Sequence, residues 1–281
     1  MKRRIFLGYA FSVLLGLTAC SRIGDIPTTP APANVTTAPL EATAFPTLGP
    51  TATSMTTWQT LRDGIEYVQR REPVAQTNDW VTVVRVDMAK VNLRINYSPD
   101  QPLSVRAWYD TLKVDGVINA GFFTEDKKAT GIVISNGKRF GQTYKGFGGM
   151  FSVRDGKPFL QWLSRTPYVA DDRVTQALQS FPMLIINNAL VDGIPDDGSR
   201  NRRSFIAIDR NGRVLLGTCQ SPIWTMSDLA QYLYKNPLLN IASALNLDGG
   251  ASSGIWLRGL PDAILMDSLD VVPTVISISA K

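Results

Sequence analysis

From Trp80 onward the chain consists of short apolar or alternating runs separated by turn residues, and this punctuation limits it to folds built from many short strands. Runs over 80–88, 91–97, 117–123, 131–135, 147–153, 182–186, 205–209, 214–218, 244–247, 254–257 and 274–279 have strand length. Asn136-Gly137, Asp155-Gly156, Asp192-Gly193 and Asn211-Gly212 tolerate the positive φ of tight hairpin turns, so antiparallel pairing is expected to dominate. Two helices stand out. One spans 225–234, with Ser227 as a candidate cap, Leu229, Ala230 and Leu233 on one face, and Asn236-Pro237 as the stop. The other spans 103–112, after Pro102. Many strands and few helices without βαβ alternation predict an α+β fold: mixed, mainly antiparallel sheets with a few flanking helices, in one domain.

The start of the chain reads differently. Lys2, Arg3 and Arg4 precede an apolar run from Ile5 to Leu17, which is the layout of an export signal and too short to span a bilayer, since that takes about 20 residues. Leu17-Thr18-Ala19-Cys20 resembles the bacterial lipobox, which implies cleavage and lipidation of Cys20. Plain secretion is the competing reading. Residues 21–57 are rich in Thr, Pro and Ala and poor in large apolar side chains. Such a stretch buries too little to offset its ordering entropy and should act as an extended, disordered tether. The expected organisation is a signal peptide over 1–19, a lipidated Cys20 with its tether over 20–57, and a globular domain over 58–281. The chain would then be exported and lipid-anchored to the cell envelope.

Charge and composition remove several functions. The chain holds 29 Lys and Arg against 24 Asp and Glu. Loss of Lys2, Arg3 and Arg4 with the leader would leave 26 against 24, too balanced for a nucleic-acid partner. With Cys20 acylated, Cys219 has no disulfide partner and reads as a small buried apolar residue. There is no histidine. Gly250-Ala251-Ser252-Ser253-Gly254 fits the nucleophile-elbow pattern, but the base that would take the serine proton is missing. The same absence argues against zinc. No cofactor is expected, although an oxygen-ligated divalent ion stays open.

Three polar segments at the ends of apolar runs remain as candidate binding groups. They are Val117-Ile118-Asn119-Ala120-Gly121-Phe122-Phe123, Arg202-Arg203-Ser204-Phe205-Ile206-Ala207-Ile208-Asp209, and Asn246-Leu247-Asp248-Gly249-Gly250-Ala251-Ser252-Ser253. Glycines in the last allow backbone amides to approach a ligand. In this order, with the run over 130–139, the Phe181-Pro182 segment and the helix over 225–234, they resemble the phosphodiester glycosidase family from about Trp80 to the C-terminus. The chain departs from the family at Ala251, where a third glycine is common, and at Asn187-Asn188-Ala189, where an Asn-Gly turn is common.

The resemblance implies a hydrolase that releases a sugar from a sugar-1-phosphodiester on an envelope or extracellular glycan, with Asp248, Arg203 and Asn119 converging as its catalytic group. A phosphate leaving group, with a second pKa of about 6, can depart without the general acid that an ordinary glycoside requires. Asp248 would be nucleophile or general base, and Arg203 would clamp the phosphate with Arg202 as a second cation. Asn119 would hydrogen-bond the ligand or brace the loop. Gly121, Gly249, Gly250, Ser252 and Ser253 would line the site. Phe122 and Phe123 are expected on opposite faces of a strand, one toward the core and the other toward the sugar. The competing reading is a non-catalytic, envelope-anchored glycan-binding module.

Overall fold

The computed structural model describes residues 54–144 and 148–281. The leader, Cys20 and the tether up to residue 53 lie outside the described residues, as does Phe147 in the expected run over 147–153. Ser54 and Met55 contact the folded body: the Arg71 amide donates to Ser54 Oγ, and the Met55 amide to the Gln69 carbonyl.

In chain order the strands are β1 (Gln59–Arg62), β2 (Ile65–Val74), β3 (Thr77–Val86), β4 (Val91–Tyr97) and, after helix α1 (Val105–Leu112), β5 (Gly116–Asn119). Then come β6 (Val133–Ser135), β7 (Lys138–Phe140), β8 (Gly149–Arg154), β9 (Lys157–Trp162), β10 (Val174–Ser180), β11 (Met183–Ile186) and β12 (Ala189–Leu190). The chain ends with β13 (Asn201–Asp209), β14 (Val214–Trp224), helix α2 (Met226–Lys235), β15 (Ile241–Asn246), β16 (Ile255–Leu257) and β17 (Thr274–Ala280).

Three sheets result, in the orders β1-β2-β3-β14-β13-β15-β11-β12, β7-β6-β10-β8-β9 and β16-β5-β17-β4. Every pairing between these strands is antiparallel, as the turn dipeptides predict. Asn136 and Gly137 both take positive φ between β6 and β7, as do Asp155 and Gly156 between β8 and β9. Asn187 and Asn188 do the same before β12, so the missing glycine there is replaced by asparagine, a residue that accepts the left-handed region.

The long sheet separates two cores, because successive side chains on a strand point to opposite faces. On one face, Val84, Ile206, Leu216 and Leu245 meet Ile118 and Ile276 of the four-stranded sheet and Phe151 and Leu178 of the five-stranded sheet. On the other face, Val83, Phe205, Leu215 and Cys219 pack under Leu229, Ala230 and Leu233 of α2. Helix α1 covers the outer side of the four-stranded sheet, where Val105 and Trp108 pack on Val117 and Val275. Among the described residues no helix is long and apolar enough to cross a membrane.

Three local expectations are corrected. Helix α2 is capped by Thr225, not Ser227: Thr225 Oγ1 accepts from the Asp228 amide while Asp228 Oδ2 accepts from the Thr225 amide, a reciprocal box that an N-terminal serine two residues later cannot make. The run over 117–123 stops being a strand at Asn119, so Phe122 and Phe123 do not alternate across one. Strands β1, β2, β7, β9, β10 and β12 lie outside the expected runs. β2 is rich in charge, and β10 buries two glutamines. Gln176 accepts from the Ile95 amide at 2.8 Å and donates to Asn136 at 3.0 Å, which links two sheets, and Gln179 pairs both ways with the Tyr144 backbone.

Candidate active site

The site is built around the amide of Asn119, the last residue of β5. It is fully buried and uses both ends of its side chain: Nδ2 donates to the Asp248 carbonyl at 2.6 Å, and Oδ1 accepts from Ser204 Oγ at 2.8 Å and the Gly254 amide at 3.1 Å. Ser204, on β13, lies 3.0 Å from Ser253 Oγ. Asn119 therefore braces the loop after β15. The Asp248 amide adds a bond to the Ala120 carbonyl at 2.9 Å. Ser204 was not singled out from the sequence, although it directly follows the arginine pair.

Asp248 follows β15 by two residues, where the chain has left the sheet. Burial pushes its carboxyl up to about 6, against the opposing pull of the Ser252 hydroxyl and the Gly249 amide. The Gly249 amide donates to Asp248 Oδ1 at 2.9 Å, so this glycine serves the carboxylate itself. A side chain at Gly249 would come within 2.9 Å of the Arg202 carbonyl oxygen, and Gly250 sits at a φ of 60°, where a Cβ is disfavoured. Gly250–Ser252 form one 3-10 turn. It places Ser252 beside Asp248, while Ser253 faces inward and is wholly buried. The elbow-like serine thus neighbours a carboxylate and no imidazole.

The two arginines differ. Arg203 packs its stem near Gly249 and donates from Nε to the Trp224 carbonyl at 3.0 Å and from Nη2 to the Ser199 carbonyl at 2.8 Å. Burial lowers its pKa below the usual arginine value, opposed by Asp196 and the other acids nearby. Arg202 instead keeps Nη1 buried with no hydrogen-bond partner among the described residues. It lies where the β13–β14 register is interrupted, between Asn201 and Arg203.

Gly121 turns the chain away from β5 against the Gln179 carbonyl. Phe122 stacks on Phe181 with ring centroids 4.4 Å apart, and Phe181 stacks on the partly exposed Tyr144 at 5.4 Å. Phe123 packs toward the α1 core, with the Lys127 ammonium 4.7 Å from its ring centre. Among the described residues no cluster of three or more Asp, Glu or Cys side chains is arranged to hold a metal ion. A cavity of about 910 Å³, lined by residues such as Trp162, Arg165, Tyr168 and Asp171, lies on the β8–β9 sheet and shares no residue with this cluster.

A family profile described as phosphodiester glycosidase matches residues 113–276, more than half of the chain and every residue of the cluster. The chain belongs to the phosphodiester glycosidase family. It is an enzyme of the glycoside hydrolase type, and its family reaction is hydrolysis at a sugar phosphodiester. Among solved structures this phosphodiester glycosidase is similar to the catalytic domain of zebrafish N-acetylglucosamine-1-phosphodiester alpha-N-acetylglucosaminidase, auto-inhibited by its pro-peptide. The TM-score is 0.64 at 17% identity, covering 80% of this chain and 86% of that one. It is also similar to a hypothetical protein from Synechocystis (TM-score 0.55, 16% identity, 78% of this chain and 62% of that one). A candidate exported protein from Burkholderia pseudomallei gives 0.52 at 12% identity, over 72% of this chain and 74% of that one. At these identities the structural likenesses speak for the fold alone. No curated protein sequence matches at a significant level.

Proposed function

We propose that this phosphodiester glycosidase releases a sugar from a sugar-1-phosphodiester on an envelope or extracellular glycan, with Asp248 as the carboxylate at the reacting carbon. The observation that carries this reading is the position of Asp248: half-buried, with its carboxyl pushed up to about 6, and fixed at its backbone by Asn119. A carboxyl with that value is mostly ionised at neutral pH and still close enough to it to exchange a proton efficiently. Ionised Asp248 attacks the anomeric carbon or draws a proton from the attacking water. The phosphate departs without a separate acid, since its own second pKa is about 6.

Phosphate recognition falls to Arg202 in this reading. Arg203 spends two donors on carbonyls, whereas the orphaned Arg202 Nη1 loses hydrogen-bonding energy that a phosphate oxygen would restore. Arg203 then acts through the loop it holds.

The test is hydrolysis of a sugar-1-phosphodiester by the full chain in ¹⁸O-labelled water. Label in the sugar is expected, and label in the phosphate would mean P–O cleavage and end the proposal. In the same assay Arg202→Met should raise KM by roughly tenfold, the scale of one lost charge-assisted contact. An unchanged KM would remove Arg202 from the phosphate site.

Export and lipid anchoring are proposed from the basic start, the short apolar run and Leu17-Thr18-Ala19-Cys20. A Cys20→Ser chain expressed in bacteria should leave the membrane fraction. If it stays there while unmodified at residue 20, the anchor lies elsewhere.

A further inference from the structure

Two residues 143 positions apart meet beside the candidate loop. Lys127 stands in the tight turn between Phe123 and Ala129, closed by bonds from the Lys127 amide to the Thr124 carbonyl at 2.8 Å and from the Thr124 amide to the Lys128 carbonyl at 2.8 Å. Its own φ is 59°, a region that costs a side-chain-bearing residue free energy and that persists only where surroundings enforce it. All three ammonium protons have acceptors: Asp270 Oδ1 at 3.0 Å, Asp270 Oδ2 at 3.0 Å and the Val271 carbonyl at 3.1 Å. On the other side, the Leu269 and Asp270 amides donate to the Ala251 carbonyl at 2.7 and 3.1 Å. Ala251 is the middle residue of the turn that carries Ser252 to Asp248.

We infer that Lys127 and Asp270 are positioning residues of the active site: their ion pair latches the 124–129 turn to the 269–271 turn, and through Ala251 it holds the loop that presents Asp248.

An isolated surface ion pair does little, because water and salt screen it. Here the pair is tied at both ends to backbone that runs into the site. The Phe122–Phe123 segment continues into the Lys127 turn, and the Asp270 turn is bonded to the Asp248 loop. The charges also reach Asp248 directly. After burial and the bonds from Ser252 and Gly249, Asp270 pushes the Asp248 carboxyl up and Lys127 pulls it down. β13 also brings the Arg202 carbonyl and the Arg203 stem against Gly249, and exposed Glu125 and Asp126 stand on the Lys127 turn.

The inference rests on the proposed catalytic role of Asp248, and its test separates the two. In the full chain, the titration of the Asp248 carboxyl is followed by ¹³C NMR, its signal being the one lost in Asp248→Asn, alongside the pH profile of kcat/KM. Asp270→Asn removes a like charge and leaves Lys127 unpaired, so the Asp248 midpoint and the acid limb of the rate move to lower pH. Lys127→Met does the reverse and moves both to higher pH. Lys127→Arg stays near the parent, and the opposed movements shrink in high salt. Both neutral variants lose about tenfold in kcat/KM from a loosened loop. A pair that acted on Asp248 by charge alone would give the opposed shifts with kcat/KM at the optimum pH near the parent value, and that outcome overturns the positioning role. Midpoints that stay put or move in the same direction overturn the inference. Opposed NMR shifts with an unmoved rate profile keep the latch and overturn the catalytic role of Asp248.

Discussion

Asp171 and Asp248 are aspartates at two separate places in one body, and their surroundings pull them in opposite directions. Asp171 lines the 910 Å³ cavity, where the Arg173 side chain and amide hold its carboxyl down at about 2. Arg154 lies 3.6 Å away on its other side. Asp248 has no ion-pair partner among the described residues, and burial holds it at about 6. The carboxylate in the cavity is therefore electrostatically satisfied. Asp248 has hydrogen bonds but no paired counter-charge, the condition under which a carboxylate gains by meeting a reacting centre.

Replacing each carboxylate gives the sharpest contrast. Asp248→Asn should lower kcat on a sugar-1-phosphodiester by about 10²–10⁴, the range of a lost acid–base or nucleophilic group. Asp171→Asn should change it by less than about twofold, as expected of an exposed pair far from the chemistry. Equal losses would erase the distinction between the regions.

A smaller effect appears in stability. Between 3.8 and about 6 the folded chain binds the Asp248 proton more than the unfolded chain does. The contribution of Asp248 therefore falls as pH rises through that window, and above it the buried charge costs on the order of 1–2 kcal/mol after allowance for partial exposure. Urea unfolding from roughly pH 4 to 8 should show Asp248→Asn more stable than the parent at the upper end and level with it at the lower. Asp171 has the opposite sign: its contribution is present above 3.8 and fades as pH falls toward about 2. A parent that gains on Asp248→Asn as pH rises would contradict the buried-charge account.

Much of this arrangement is legible in the sequence. β4 and β17 alternate apolar and polar side chains, β3 is a nearly continuous apolar run, and turns such as Asn136-Gly137 mark the hairpins. β10 was hidden because Gln176 and Gln179 are buried for their hydrogen bonds, which no hydropathy pattern records. The residues of the site were visible as polar interruptions in apolar runs, and the family resemblance ordered them. Their division of labour was not visible. Whether an asparagine binds a ligand or braces a loop depends on who occupies its donors, and Asn119 finds its partners 85, 129 and 135 positions away. Lys127 and Asp270 carry no local signature at all.

The reach of Asn119 also governs when the enzyme exists. Its three side-chain partners arrive late in synthesis, on β13 and on the loop that follows β15. Closing such distant contacts costs chain entropy before any return, so they belong to the last stages of assembly. A nascent or partly refolded chain can hold finished hairpins and still lack a working centre. Turnover is then a readout of completed folding, and a chain intercepted before that point would be silent by construction.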